Sequence, residues 1–306
     1  MSLLDSLATM LASPLMQRGL IAALIVGLTA PVIGTYLVQR RMALLGDGIG
    51  HMALTGVAAG WLAGAAAGLT PHDVLAVPGA IVASVVGAVL IEAVRTRGRT
   101  SGDVALALLF YGGIAGGVLL IGLGGGTSAS LTGYLFGSIA TVTTLDVALT
   151  AGLGALVLAA GIGLRHALFA LCHDEEAASA AGLPVRALNL LVAVVAALTV
   201  SVSMRVVGVL LVSAVMIVPV ATAQLLTRSF ASTMHLAMGL GAVVCVTGLT
   251  LTYFHAVSPG ATIVVLAIGL YAAAAVAAPA ISSRLTRRAA TGQTEPTGAP
   301  RVREQV

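Results

Sequence analysis

Asp47 and His51 stand four residues apart, just as an otherwise apolar stretch begins, in Arg40-Arg41-Met42-Ala43-Leu44-Leu45-Gly46-Asp47-Gly48-Ile49-Gly50-His51. If the stretch is helical, four residues is about one turn, so both side chains leave the same face. Thr55 follows one further turn along that face. A carboxylate inside a membrane is costly and marks an ion or substrate path. A carboxylate oxygen with an imidazole nitrogen suits borderline divalent metals: zinc first, with manganese or iron also served. Two ligands do not complete a site. A second copy, a loop or water must supply the rest.

The surroundings make the stretch a membrane segment. Of 306 residues, 58% are hydrophobic and 8% charged, with mean hydropathy +1.07; a soluble domain carries about 25% charged residues. Several apolar runs exceed the roughly 20 residues that cross a bilayer. The reading is an all-α polytopic membrane protein, with abundant Gly and Ala for close helix packing in lipid. The N-terminus has no basic region or cleavage site of a signal peptide, so the first apolar segment is expected to stay.

All fifteen basic residues are Arg. A phosphate-binding P-loop needs Lys, so ATP, if it powers this protein, is hydrolysed by another subunit. Cys172 and Cys245 lack CxxC spacing and read as free, packed thiols. The net charge of +4 implies no nucleic-acid partner, because the arginines fall at helix ends and in the tail.

In chain order, a short amphipathic lead-in reaches Pro14. Spans are expected at about 16–39, 44–68, 74–94, 104–123, 145–164, 188–203, 206–226, 235–253 and 261–280. Gly46, Gly48 and Gly50 are expected to weaken the start of the second span, as broken helices do along transport paths. Residues 131–140 are apolar but too short to cross, and read as re-entrant or interfacial. Arginine clusters at 40–41, 95–99, 165–186, 228 and 284–303 all face the cytoplasm if there are about nine spans and an outer N-terminus. The count falls to eight if the boundary between the sixth and seventh spans is misread. Residues 1–283 then form one transmembrane domain, and 284–306 a disordered, Arg-rich cytoplasmic tail.

Four collinear stretches carry a resemblance to a known family. Arg40-Arg41 through Gly56 matches RR-x5-D-x3-H-x4-G. Tyr134-Leu135-Phe136-Gly137 matches a YLFG element. Val207-Gly208-Val209-Leu210-Leu211-Val212, with Pro219 through Ala223, matches a VG-x-LLV helix. Ser258-Pro259-Gly260 through Ile263 matches the start of a last span. Together they resemble the permease subunits of bacterial ABC importers for zinc and manganese, of the ZnuB type.

That resemblance implies an ABC importer permease bundle in the bacterial plasma membrane. It would work as a homodimer on two cytoplasmic ABC ATPase subunits, fed by an extracytoplasmic metal-binding protein. It places Asp47 and His51 at the metal positions, and two copies would bring two of each to the central axis. No cofactor is expected to stay bound: Zn2+, or alternatively Mn2+, passes through as cargo, and ATP sits on the partner. The polar stretch 173–186 reads as a short cytoplasmic helix, capped near Asp174 and stopped at Gly182-Leu183-Pro184. It resembles the loop by which such permeases grip their ATPases, which makes Asp174, Glu175, Ala178 and Gly182 the candidate coupling contacts.

Lesser candidates complete the reading. Glu92 and Asp103 should pair locally with Arg95–Arg99, while His72, Asp73 and His255 lie in predicted outer turns. His166, His173 and His235 are expected to bind nothing. Pro219 should kink its span and free a carbonyl near residue 215. A secondary transporter using Asp47 as an ion relay would need neither ATP nor the 173–186 helix. A hydrolase lacks HExxH, paired intramembrane aspartates and a Ser–His dyad. A siderophore or cobalamin permease would not need the Asp47/His51 pair.

Overall fold

In the computed structural model, the backbone is described for residues 3–70, 72–97, 102–124, 133–138, 142–204, 206–209, 211–255 and 257–291. The side chains of residues 72, 73 and 103 lie outside this description, so the expectations for His72, Asp73 and Asp103 do too. The amphipathic lead-in is α1 (Leu3–Ala12), and Pro14 opens α2 (Pro14–Gln39), where a missing N–H costs nothing. Then come α3 (Leu45–Ala66), a 3-10 turn (His72–Leu75), α4 (Ala76–Arg97) and α5 (Gly102–Leu123). Residues 133–136 form one helical turn. The chain continues with α6 (Thr144–Gly163), α7 (Arg165–His173), α8 (Glu175–Ala180), α9 (Val185–Ser203), α10 (Val212–Leu226), α11 (Phe230–Phe254) and α12 (Pro259–Thr291).

Among the described residues, eight helices are long and apolar enough to cross a membrane. The ninth, α10, has 15 residues and would reach only about 22 Å. The seventh span therefore starts six residues later than its hydropathy suggests, at Val212 rather than Val206. The cause is tertiary. Gly208 takes φ +90°, and Val209 N–H donates to the Tyr134 carbonyl at 3.0 Å instead of to a helical turn. Ser258 Oγ donates to the Phe136 carbonyl at 3.0 Å. Three non-helical or newly started segments thus lock one another.

The discontinuity expected at the second span is at α10 instead. Gly46, Gly48 and Gly50 all lie within continuous helix, which begins with Leu45 N–H donating to Met42 O at 3.0 Å. These glycines serve packing. A Cβ at Gly46 would stand 3.3 Å from the Ser213 Cβ, one at Gly48 3.0 Å from Leu106 Cδ1, and one at Gly50 3.2 Å from the Val209 carbonyl oxygen. The last helix also runs past residue 284 to Thr291, because Arg284-Leu285-Thr286-Arg287-Arg288-Ala289-Ala290 are helix-compatible residues with no Gly or Pro among them. The remainder of the expected tail, 292–306, lies outside the described residues.

The bundle is centred on α2, whose Ala23, Val26, Ala30, Val32, Tyr36 and Leu37 are fully buried. It crosses α11 closely, with a Cβ at Gly27 only 2.6 Å from the Gly241 carbonyl oxygen. Such backbone contact replaces the hydrophobic driving force that lipid withholds. Helix α3 packs between α4 and α5, and α9 joins this group to α2 and α6. A buried hydroxyl pair, Ser84 with Ser201 at 2.7 Å, ties α4 to α9.

Candidate metal pathway and coupling surface

Asp47 is the third residue of α3, and His51 lies one turn further in on the same face. The Asp47 carboxylate is half-buried and accepts a hydrogen bond from Ser213 Oγ, in the first turn of α10. Ser213 lies thirteen residues, or about 20 Å, from the Leu226 end of α10. The free N–H groups at the start of α10 add positive potential near the carboxylate.

His51 is 6% exposed. Its ring meets Phe110 of α5 edge-on, with centroids 4.3 Å apart. Gly113 allows that approach, since a Cβ there would stand 2.6 Å from the His51 carbonyl carbon. Nδ1 of His51 is buried and has no hydrogen-bond partner among the described residues. A buried polar atom left without a partner costs roughly 1–3 kcal/mol, and a ligand relieves that cost. Thr55 Oγ1 donates to the Gly113 carbonyl at 2.6 Å, so it fastens α3 to α5 rather than facing the pair. Among the described residues, no three His, Cys, Asp or Glu side chains gather into a metal-holding group. One chain thus brings together Asp47, His51 and a hydroxyl, not a complete acidic or imidazole site.

Pro219 is buried inside α10, which continues through it. Met216, one turn before it, presses its carbonyl against Gly34 of α2 closely enough to exclude any Cβ there. Glu92 pairs with Arg95 at 3.2 Å, as expected. His166, His173, His235 and His255 are exposed.

Within stretch 173–186, the four candidate coupling residues have separate roles. Asp174 caps α8, accepting from Glu176 N–H at 2.9 Å and Ala177 N–H at 3.0 Å. Ala178 is 3% exposed and faces inward. Gly182 ends the helix with φ +81°, and Leu183 N–H donates back to the Ala178 carbonyl at 3.1 Å. Glu175 pairs with Arg40 at 2.5 Å and accepts from Asn189 Nδ2 at 2.9 Å. The outward surface of α8 is Glu176, Ala177, Ser179 and Ala180.

Arg40 and Ser213 are the residues the sequence did not single out for these roles. The Arg40 side chain is 6% exposed, and it links α8 to the connection that leads into the Asp47 helix. In that connection Arg41 takes φ +57°, a conformation uncommon outside Gly. Replacing Glu175 by Ala leaves a largely buried guanidinium without its carboxylate. With Glu175 itself half exposed, the expected loss is about 1–2 kcal/mol. A double-mutant cycle with Arg40→Met checks it; additive losses would mean that the pair contributes nothing.

Cys172 lies beside this pair, in α7. Burial pushes its thiol up to about 11, against the lowering effect of Arg40. At pH 8 about one thiol in a thousand is then ionised. Maleimide should label Cys172 in the folded protein far more slowly than a free thiol, with the rate rising as pH approaches 11.

The comparisons with known proteins concern the chain as a whole. A family model described as the ABC 3 transport family matches residues 12–278. The chain is 33% identical over 259 residues to the manganese transport system membrane protein MntC of Halalkalibacterium halodurans, covering 85% of this chain and 86% of that protein. It is 32% identical over 249 residues to the manganese import system permease protein ScaB of Streptococcus parasanguinis, covering 81% and 85%. Among solved structures, PsaBC from Streptococcus pneumoniae in complex with Fab matches with TM-score 0.78 and 30% identity, over 89% of this chain and 95% of that one.

Proposed function

Because this chain belongs to the ABC 3 transport family, we propose that it is the permease of an ATP-driven importer that carries Mn2+ across the bacterial plasma membrane. Its membrane location and permease class follow from that membership and from its apolar helices. The choice of cargo rests on relatives named for manganese transport. This reverses the order that the His51 imidazole alone suggests, which is zinc before manganese.

The observation that carries the reading is the pair on α3: a half-buried Asp47 carboxylate one turn from a buried His51 whose Nδ1 lacks a partner. Two chains would bring two such pairs to a shared site, so the ion is held between subunits and given up when they move. The ion offsets the cost of burying carboxylates, and it binds only their deprotonated form. Helix α8 supplies the surface for a cytoplasmic ATPase subunit, which does the hydrolysis. A metal-binding protein outside the membrane delivers the ion.

Reconstitution into proteoliposomes tests this. With the ATPase subunit and ATP inside, radioactive Mn2+ should accumulate; without either it should not. Uptake that needs no ATPase and follows membrane potential would instead indicate a secondary transporter.

A further inference from the structure

Ser213 occupies an unusual place for a hydroxyl in an apolar helix. It is the second residue of α10, whose N-terminal boundary at Leu211 has no side-chain cap. Its Oγ is not spent on that helix end; it donates to Asp47 Oδ1. The contact spans 166 positions in sequence and exists because three close approaches place α10 there. Gly46 lets the Ser213 Cβ come near α3, Gly34 lets the Met216 backbone reach α2, and Gly50 admits the Val209 carbonyl. The hydroxyl retains lone pairs after donating its one proton.

We propose that Ser213 Oγ is an oxygen donor to the transported ion, and that it biases the shared site toward manganese over zinc. The inference rests on the two-chain site described above. Two Asp and two His alone make a four-donor set, the tetrahedral arrangement that zinc prefers. Two Ser213 hydroxyls, each beside an Asp47 carboxylate, raise it to six donors, four of them oxygen. A six-coordinate, oxygen-rich set is what manganese favours. A neutral oxygen also binds weakly enough to let the ion leave. Ser213 is thus a specificity-determining residue, while Asp47 and His51 supply most of the affinity.

The test is Mn2+ uptake by the complete transporter in proteoliposomes, with Zn2+ as competitor. Wild type, Ser213→Ala, Ser213→Thr and Ser213→Cys are compared, and Asp47→Ala is the reference for loss of the site. The Ala variant should lose at least about tenfold in its preference for Mn2+ over Zn2+, the low end of what a metal-site neighbour contributes. The Thr variant should keep the preference, and the Cys variant, with a softer sulfur, should move furthest toward zinc. Uptake of both metals falling equally in the Ala and Cys variants would overturn the proposal, leaving Ser213 only to orient Asp47. An unchanged ratio would overturn it as well. If Asp47→Ala itself transports normally, the two-chain site fails, and with it the premise.

Discussion

Substituting Asp47 by Ala is expected to abolish metal uptake while the protein still folds. Its carboxylate is the only acidic side chain of α3, and it accepts a hydrogen bond from the Ser213 hydroxyl. No ion pair holds the bundle together there among the described residues, so truncation removes the proposed ligand without stranding a buried cation. Even residues that only support a metal ligand cost about 10–100-fold in metal affinity, so loss of a ligand itself should exceed about 100-fold. His51→Ala should match it in uptake, with a greater effect on folding, because the His51 ring also packs against Phe110. Uptake assays beside thermal unfolding in detergent separate the two effects. Near-normal uptake in either variant would remove that residue from the site.

The second large effect is on stability, at Gly208. Gly208 and Gly182 both take positive φ, +90° and +81°. Backbone strain alone would cost either Ala variant about 1–2 kcal/mol. Their surroundings differ. A Cβ at Gly182 meets nothing within 4 Å, whereas one at Gly208 would stand 2.5 Å from the Gly137 nitrogen, with the Leu135 carbonyl closer still. These are backbone atoms of the segment that fixes where α10 begins, and they have no flexible end to turn away. Gly182→Ala should therefore cost about 1 kcal/mol, and Gly208→Ala about 3 kcal/mol or more. Unfolding midpoints of the two variants check the contrast; equal losses would mean that the lock around Gly208 does not hold α10.

How much of this was visible in the sequence depends on the range of the interaction. The spans, the Asp174 cap and the Gly182 stop are local: each is set by hydropathy or by residues within a turn. The same is true of the Asp47/His51 spacing, which needs only a helical period. The start of α10 is not local. Val206 through Leu211 is as apolar in sequence as the helix after it, yet α10 begins at Val212, because Gly208 takes φ +90° and Val209 N–H donates to the Tyr134 carbonyl, some seventy residues away. The glycines before His51 were ambiguous for a related reason. Glycine weakens an isolated helix, yet it permits the contacts with Ser213, Leu106 and Val209 that hold this one. Glu175 looked free to meet an ATPase because its partners lie elsewhere along the chain, Arg40 just past the end of α2 and Asn189 on α9. Ser213 gave no signal beyond being a hydroxyl inside an apolar span.

In the proposed function, two chains share one transported ion between their Asp47/His51 pairs. Titration of the purified permease with Mn2+, followed by the loss of the free-ion electron paramagnetic resonance signal, counts the ions directly. One Mn2+ should bind per two chains, and none at the same concentrations in the Asp47→Ala/His51→Ala variant. One ion per single chain, or full binding retained by the double variant, would contradict it.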